Sequence, residues 1–160
     1  MSHVFLLLGS NLGNAALHLK DAAEAIRSQV GPIIRASSFY STKAWGKTDQ
    51  PDFLNQVIEI TCEKTSHELL GLLLKIEIDL GRVRKEKWGA RLIDIDILFF
   101  DTQHIDEPDL KIPHPEIGNR RFTLVPLAEI APDLIHPLSG KKITQLLLEC
   151  LDPLEVKKLN

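Results

Sequence analysis

An α+β fold, one mostly antiparallel sheet covered by helices on both faces, is what this sequence predicts. Two observations carry that expectation. Apolar residues recur with a period of two in some stretches and at helical spacing in others, in the order strand, helix, strand, strand, helix, strand. The chain has 160 residues, 44% of them hydrophobic, which is enough for one substantial core. The order is the split βαβ arrangement of ferredoxin-like folds, βαββαβ, with further helices to cover the second face. Residues 1–160 are therefore read as one domain.

Residues 4–8 form a short continuous apolar run, read as a buried strand ending in Gly9-Ser10-Asn11-Leu12-Gly13. From Asn14, the positions Leu17, Leu19, Ala22, Ala23, Ile26 and Val30 recur at helical spacing, and Gly31-Pro32 supplies the stop. Residues 33–40 mix β-branched and aromatic residues with serine and read as extended. Residues 41–52 are rich in turn formers and long for a connection, a binding loop or a mobile one. In 53–61 strict alternation places Leu54, Gln56, Ile58 and Ile60 on one face and Phe53, Asn55, Val57 and Glu59 on the other. Thr65-Ser66-His67-Glu68 is a capping-box pattern opening an apolar helix that Gly81 can end. Residues 92–100 alternate as a strand, with Asp94 and Asp96 on one face and Ile93, Ile95, Ile97 and Phe99 on the other. After it come turn chemistry over 101–107 with a short edge strand near His104 and Ile105, a rigid Pro113-His114-Pro115, and a helix over 119–130 despite Pro126. A last helix over 143–151 precedes a polar tail expected to fray.

Composition narrows the function. A formal net charge of −3 gives no global attraction to nucleic acid or to a membrane surface, and no apolar run approaches membrane-spanning length. The start of the chain lacks the pattern of an export signal. The two cysteines, Cys62 and Cys150, have neither metal-ligand spacing nor the density of a disulfide scaffold, so a reducing cytoplasm is the expected compartment. Gly46-Lys47-Thr48 resembles the end of a phosphate-binding P-loop, but the pattern needs a glycine where this chain has Ser41.

The most informative stretch is Arg82-Val83-Arg84-Lys85-Glu86-Lys87-Trp88-Gly89-Ala90-Arg91 followed by the aspartate strand. Two carboxylates about 7 Å apart along one strand face suit Mg²⁺, which takes one or two carboxylates and fills its other positions with water and phosphate oxygens. Arg82, Arg84 and Arg91 carry planar forks that bind phosphate bidentately. Salt bridges between the aspartates and nearby arginines would satisfy the same residues without any ligand. Trp88 either docks on the core or closes over a ligand as a lid. Phe53 and Phe122 are core rings or the two sides of a sandwich for a flat heterocycle, whose edge Asn55 could read.

Taken in order, Gly9-Ser10-Asn11, Ser38-Phe39-Tyr40-Ser41-Thr42, Gln50-Pro51-Asp52-Phe53-Leu54-Asn55, Glu77 with Gly81-Arg82-Val83-Arg84, Trp88-Gly89-Ala90-Arg91-Leu92-Ile93-Asp94-Ile95-Asp96-Ile97, and Pro113-His114 with Asn119-Arg120 closely resemble the 6-hydroxymethyl-7,8-dihydropterin pyrophosphokinases. The resemblance implies transfer of pyrophosphate from ATP to the hydroxymethyl group of a reduced pterin in folate biosynthesis, with release of AMP. It further implies that Asp94 and Asp96 hold two Mg²⁺ ions, that Arg82 and Arg91 stabilise the transferring group, and that Arg84 and Trp88 lie on a closing loop. By the same resemblance Glu77, Ile97, His114 and Arg120 fall on the ATP side, and Thr42, Phe53, Asn55 and Phe122 line the pterin pocket. Partners would be these two small molecules alone, with no nucleic acid or membrane and a monomer as the economical expectation.

Departures from that family's pattern fall at Lys43, Trp45, Leu74, Asp109, Lys111 and Pro115, and bear on nucleotide contacts. Two other readings use the same features: a two-metal nucleotidyl transferase or cyclase on a ferredoxin-like palm, and a nucleotide- or pterin-binding module without turnover.

Overall fold

The computed structural model describes residues 1–43, 51–81 and 92–159. Its strands are β1 (Ser2–Ser10), β2 (Ile33–Ala36), β3 (Tyr40–Thr42), β4 (Phe53–Cys62), β5 (Asp94–Phe100), β6 (Ile105–Glu107), β7 (Leu110–Ile112) and β8 (Lys157–Lys158). The helices are α1 (Ala15–Gln29), α2 (Ser66–Asp79), α3 (Arg121–Ile130) and α4 (Ile143–Glu149).

The main sheet runs β5-β1-β4-β3-β8, with β2 also on β4, and every described pairing in it is antiparallel. This is the ferredoxin-like order, with the expected second strand broken into β2 and β3. The break lies at Ser37, whose backbone N–H donates to Val57 O at 2.9 Å while its hydroxyl oxygen accepts from Val57 N at 3.0 Å. A side chain thus stands in for one rung of the ladder, and the strand restarts at Tyr40.

Alternation along β1 sorts the core. Val4, Leu6 and Leu8 pack with Leu19, Ala22 and Ile26 of α1 and with Leu69, Leu73 and Ile76 of α2. Phe5 and Leu7 face the other way, onto Leu124, Leu127 and Ile130 of α3 and Ile143 at the start of α4. The expected capping box forms: Thr65 accepts from Glu68 N, and the Glu68 carboxylate accepts from Thr65 N. Gly81 follows α2 at φ +94°, the left-handed conformation that ends a helix most cheaply in glycine.

Three expectations need correction, and one strand is added. Leu17 is 49% exposed, because it lies beyond the edge of the stripe set by Leu19, Ala22 and Ile26. Phe99 does not share a face with Ile93, Ile95 and Ile97. The register slips between Phe5 and Leu6, so Phe5 opposes Phe99 and Leu6 opposes Ile97, leaving Leu98 as a bulge that turns Phe99 toward α3. Strand β7 has no strong pattern of its own and forms by pairing with β6. The tail is tied down, since β8 pairs with β3, Leu159 N donates to Phe39 O at 2.8 Å and Asp152 accepts from Arg121 N at 3.1 Å.

Candidate active site

Strand register assembles one transverse row of the sheet. Asp94 on β5 stands opposite Gly9 on β1, Gly9 opposite Asn55 on β4, and Asn55 opposite Tyr40 on β3. Directly paired residues share a face, so Asp94 and Asn55 project to the same side across two strand spacings, roughly 10 Å. Asp96 lies one pleat further on, opposite Leu7, and this is the face that α3 covers. Gly9 keeps the middle of the row open. A Cβ added there would sit 2.8 Å from Asn55 Oδ1, a distance at which something must move.

The polar end of the row is built on buried groups. Asn55 and Thr42 are each 4% exposed, and Asn55 Nδ2 donates to Thr42 Oγ1 at 3.3 Å. That bond turns the amide so that its oxygen leans over Gly9. Phe53 shares the Asn55 face by alternation and is half-buried. Phe122 lies in the first turn of α3 on the same side of the sheet, with the Arg120 guanidinium 5.6 Å from its ring centre. Asn11, 2% exposed, donates to Pro51 O at 3.3 Å and so ties the turn after β1 to the approach to Phe53.

The acidic end carries Asp94 and Asp96, both partly exposed at the start of an edge strand. Among the described residues no group of three or more His, Cys, Asp or Glu side chains could hold a metal ion. Carboxylate oxygens of this kind are the donors a hard divalent cation takes, its other positions going to water and phosphate oxygens. His114 approaches from beyond the edge: its N–H donates to Leu98 O at 3.0 Å, just after the cis Ile112–Pro113 peptide. His114 Nδ1 accepts from Glu116 N at 3.1 Å, which leaves Nε2 as the protonated donor of a neutral ring. Burial holds the imidazole below its usual pKa; Asp96 pulls the other way and Arg120 adds to the depression. The structure thus brings His114, Arg120 and Asp96 into one electrostatic neighbourhood.

Glu77 is 5% exposed near the end of α2, and its Oε2 accepts from Ile95 N at 2.7 Å. That N–H points away from β1, and alternation turns the N–H of Ile97 to the same outer edge. Arg82, Arg84, Trp88 and Arg91 lie outside the described residues, as do Trp45 and Gly46-Lys47-Thr48. Gly9 was legible only as turn chemistry, because its part in the row depends on cross-strand register. No local pattern announced the Glu116 N–H that fixes the His114 tautomer.

A ferredoxin-like antiparallel sheet with a carboxylate pair at the start of its edge strand is one of the frames on which enzymes of phosphoryl and nucleotidyl transfer are built. Comparison with known proteins makes the class specific. The family model for 7,8-dihydro-6-hydroxymethylpterin-pyrophosphokinase matches residues 5–132, and the chain belongs to that family. It is 41% identical over 160 residues to a 2-amino-4-hydroxy-6-hydroxymethyldihydropteridine pyrophosphokinase of Methylorubrum extorquens, covering 99% of both chains. To the protein of that name from Haemophilus influenzae it is 41% identical over 159 residues, covering 98% of each. Among solved structures, a Plasmodium falciparum HPPK-DHPS determined with pterin and p-hydroxybenzoate superposes with a TM-score of 0.77 at 18% identity over 92% of this chain. The match spans 41% of that longer chain, and the likeness is one of fold.

Proposed function

We propose that this chain catalyses transfer of the β,γ-diphosphoryl group of ATP to the hydroxymethyl group of 6-hydroxymethyl-7,8-dihydropterin. The observation that carries this reading is the row Asp94, Gly9, Asn55: a carboxylate and an amide pocket on one sheet face, with Gly9 between them in the register. A flat heterocycle lying between Phe53 and Phe122, its edge against Asn55 and Thr42, would extend its substituent over Gly9 toward Asp94 and Asp96.

In the reaction the hydroxyl oxygen attacks the β-phosphorus, the bond from that phosphorus to the α,β-bridging oxygen breaks, AMP leaves and the hydroxyl proton passes to solvent. Asp94 and Asp96 would hold Mg²⁺; when bound, the metal supplies charge neutralisation at the phosphates and acidifies the hydroxyl. His114 presents Nε2–H as a donor to phosphate oxygen rather than as a base, and Arg120 adds fixed positive charge beside it. Arg82 and Arg91 are assigned to the transferring group, with Arg84, Trp88 and the Ile97 backbone on the nucleotide. The soluble composition and the substrates fit an enzyme working in the cytoplasm.

Incubation with Mg²⁺, ATP and the hydroxymethyl dihydropterin tests the reading. AMP and a pterin diphosphate are expected; inorganic pyrophosphate would indicate nucleotidyl transfer instead, and ADP a simple kinase, either of which overturns it. Asp94→Ala and Asp96→Ala are each expected to lower kcat by about a hundredfold or more with the fold kept. Unchanged kcat would remove the metal assignment.

A further inference from the structure

Glu77 occupies a position that elementary electrostatics disfavours twice. Its carboxylate is nearly fully buried, which is costly for a charge without strong partners. It also sits in the closing turns of α2, where the helix dipole is negative. One of the bonds that offset this cost comes from a backbone group, Ile95 N–H, at 2.7 Å. Ile95 lies between Asp94 and Asp96.

Among the described residues β5 is an edge strand, paired with β1 alone. The N–H groups of Asp94 and Asp96 face β1, and that of Ile95 faces outward, where the neighbouring strand of an interior ladder would otherwise hold it. Glu77 takes that strand's place. The same end of α2 is seated against the approach to β5: Ile76 shares a core cluster with Ile93 and Ile95, and a Cβ on Gly81 would meet Leu92 at 3.0 Å. The contact is therefore anchored at both ends.

We propose that Glu77 is a positioning residue for the aspartate pair: by holding the Ile95 peptide it sets the directions in which Asp94 and Asp96 leave the strand. The inference rests on the reading of those aspartates as Mg²⁺ ligands. Glu77 acts on metal geometry through the backbone, as a hydrogen-bond acceptor for Ile95 N–H.

Two substitutions separate acceptor from charge. Glu77→Gln keeps an oxygen at the same reach and loses the charge; Glu77→Asp keeps the charge and falls short by one methylene. Measured are the Mg²⁺ concentration for half-maximal rate at saturating substrates, the KM for ATP, Mn²⁺ affinity in the presence of a nonhydrolysable ATP analogue, and the Ile95 amide resonance. For Glu77→Asp an upfield Ile95 amide and a roughly tenfold or greater weakening of Mg²⁺ and Mn²⁺ response are expected, with a much smaller change in the KM for ATP. Glu77→Gln should keep the Ile95 amide and the Mg²⁺ and Mn²⁺ responses nearer to wild type than Glu77→Asp does. Greater damage in Glu77→Gln than in Glu77→Asp, or a change confined to the KM for ATP, overturns the proposal. If the wild-type protein binds no Mn²⁺, the metal reading itself fails; if Glu77→Asp shifts the amide yet binds Mn²⁺ like wild type, positioning fails and the metal reading stands.

Discussion

At Gly9 a single missing side chain joins two halves of a site. The residue precedes a turn, and its sequence context points to nothing more than that turn. Its register between Asp94 and Asn55 shows why a side chain there would be harmful. Gly9→Ala places a methyl 2.8 Å from Asn55 Oδ1, so the amide must swing away from its contact with Thr42 or the strands must part. Overpacking of this kind costs about 1–3 kcal/mol, so the KM for the pterin is expected to rise by roughly ten- to a hundredfold. The KM for ATP should change far less, and steady-state kinetics with each substrate varied in turn would show it. Equal effects on both would mean that Gly9 serves the sheet and not the pocket. The residue types of the site were legible, since aspartates in a strand and an amide beside an aromatic are unusual enough to notice. Their mutual placement was not, because Gly9 lies far along the chain from both of its cross-strand neighbours, Asn55 and Asp94.

Helix α3 shows how an element is held where the site needs it. Its first turn offers Phe122, while its far end is fastened to β2, to Ser38 and to β3. Glu129 accepts from Ser38 N at 3.0 Å, from Ser38 Oγ at 3.0 Å and from Tyr40 OH at 2.5 Å, and Arg35 bonds both Ile130 O and Glu59. Pro126 lies inside the helix, where its missing N–H leaves the preceding turn short of one bond. Tertiary fastening lets that sequence be helical all the same. Burial, the bond to Glu129 and its charge push the Tyr40 phenol up to about 12. The hydrogen bonds from Tyr40 and Ser38 hold Glu129 below the usual carboxylate range, against the opposing effect of burial. For Tyr40 the raised value means that its stabilisation is complete below the ordinary tyrosine pKa of about 10 and disappears as pH rises through about 12. For Glu129 the depressed value means stabilisation present above the ordinary carboxylate pKa and lost as pH falls through the folded one. Tyr40→Phe is expected to cost about 1 kcal/mol at neutral pH and to flatten the alkaline limb of a denaturant-midpoint against pH curve. An unaltered alkaline limb would count against the Tyr40–Glu129 bond as its source. The helices themselves were readable from stripes and caps. The break at Ser37 was not, since a hydroxyl replacing a ladder rung leaves no periodic trace.

For the molecule as a whole, the order of patterns in the chain sufficed to indicate the ferredoxin-like sheet, because the strands and helices of the βαββαβ core carry their own patterns. The tail was misread for the opposite reason. Residues 152–159 mix charged residues with Leu154, Val156 and Leu159 and have no helical stripe, and they are held by backbone pairing of β8 with β3 and by the Asp152 bond to Arg121 N at the start of α3. Deleting residues 152–160 should therefore lower stability by about 2 kcal/mol, a fall in Tm of roughly 4–8 °C. Calorimetry of the truncated chain would check this, and an unchanged Tm would show that the tail contributes nothing. Because Asp152 caps the helix that carries Phe122, the KM for the pterin should rise with the loss of stability.

The outer side of β5 has a further consequence, for solubility. An edge strand with free N–H and C=O groups is a template onto which another extended chain can add. Here Glu77 occupies the N–H of Ile95, the His114 segment occupies the C=O of Leu98, and the bulge at Leu98 breaks the even spacing that a docking strand would have to match. The features that aim the aspartates and bring the histidine into the site thus also stop one copy of this protein from zipping onto the β5 of another.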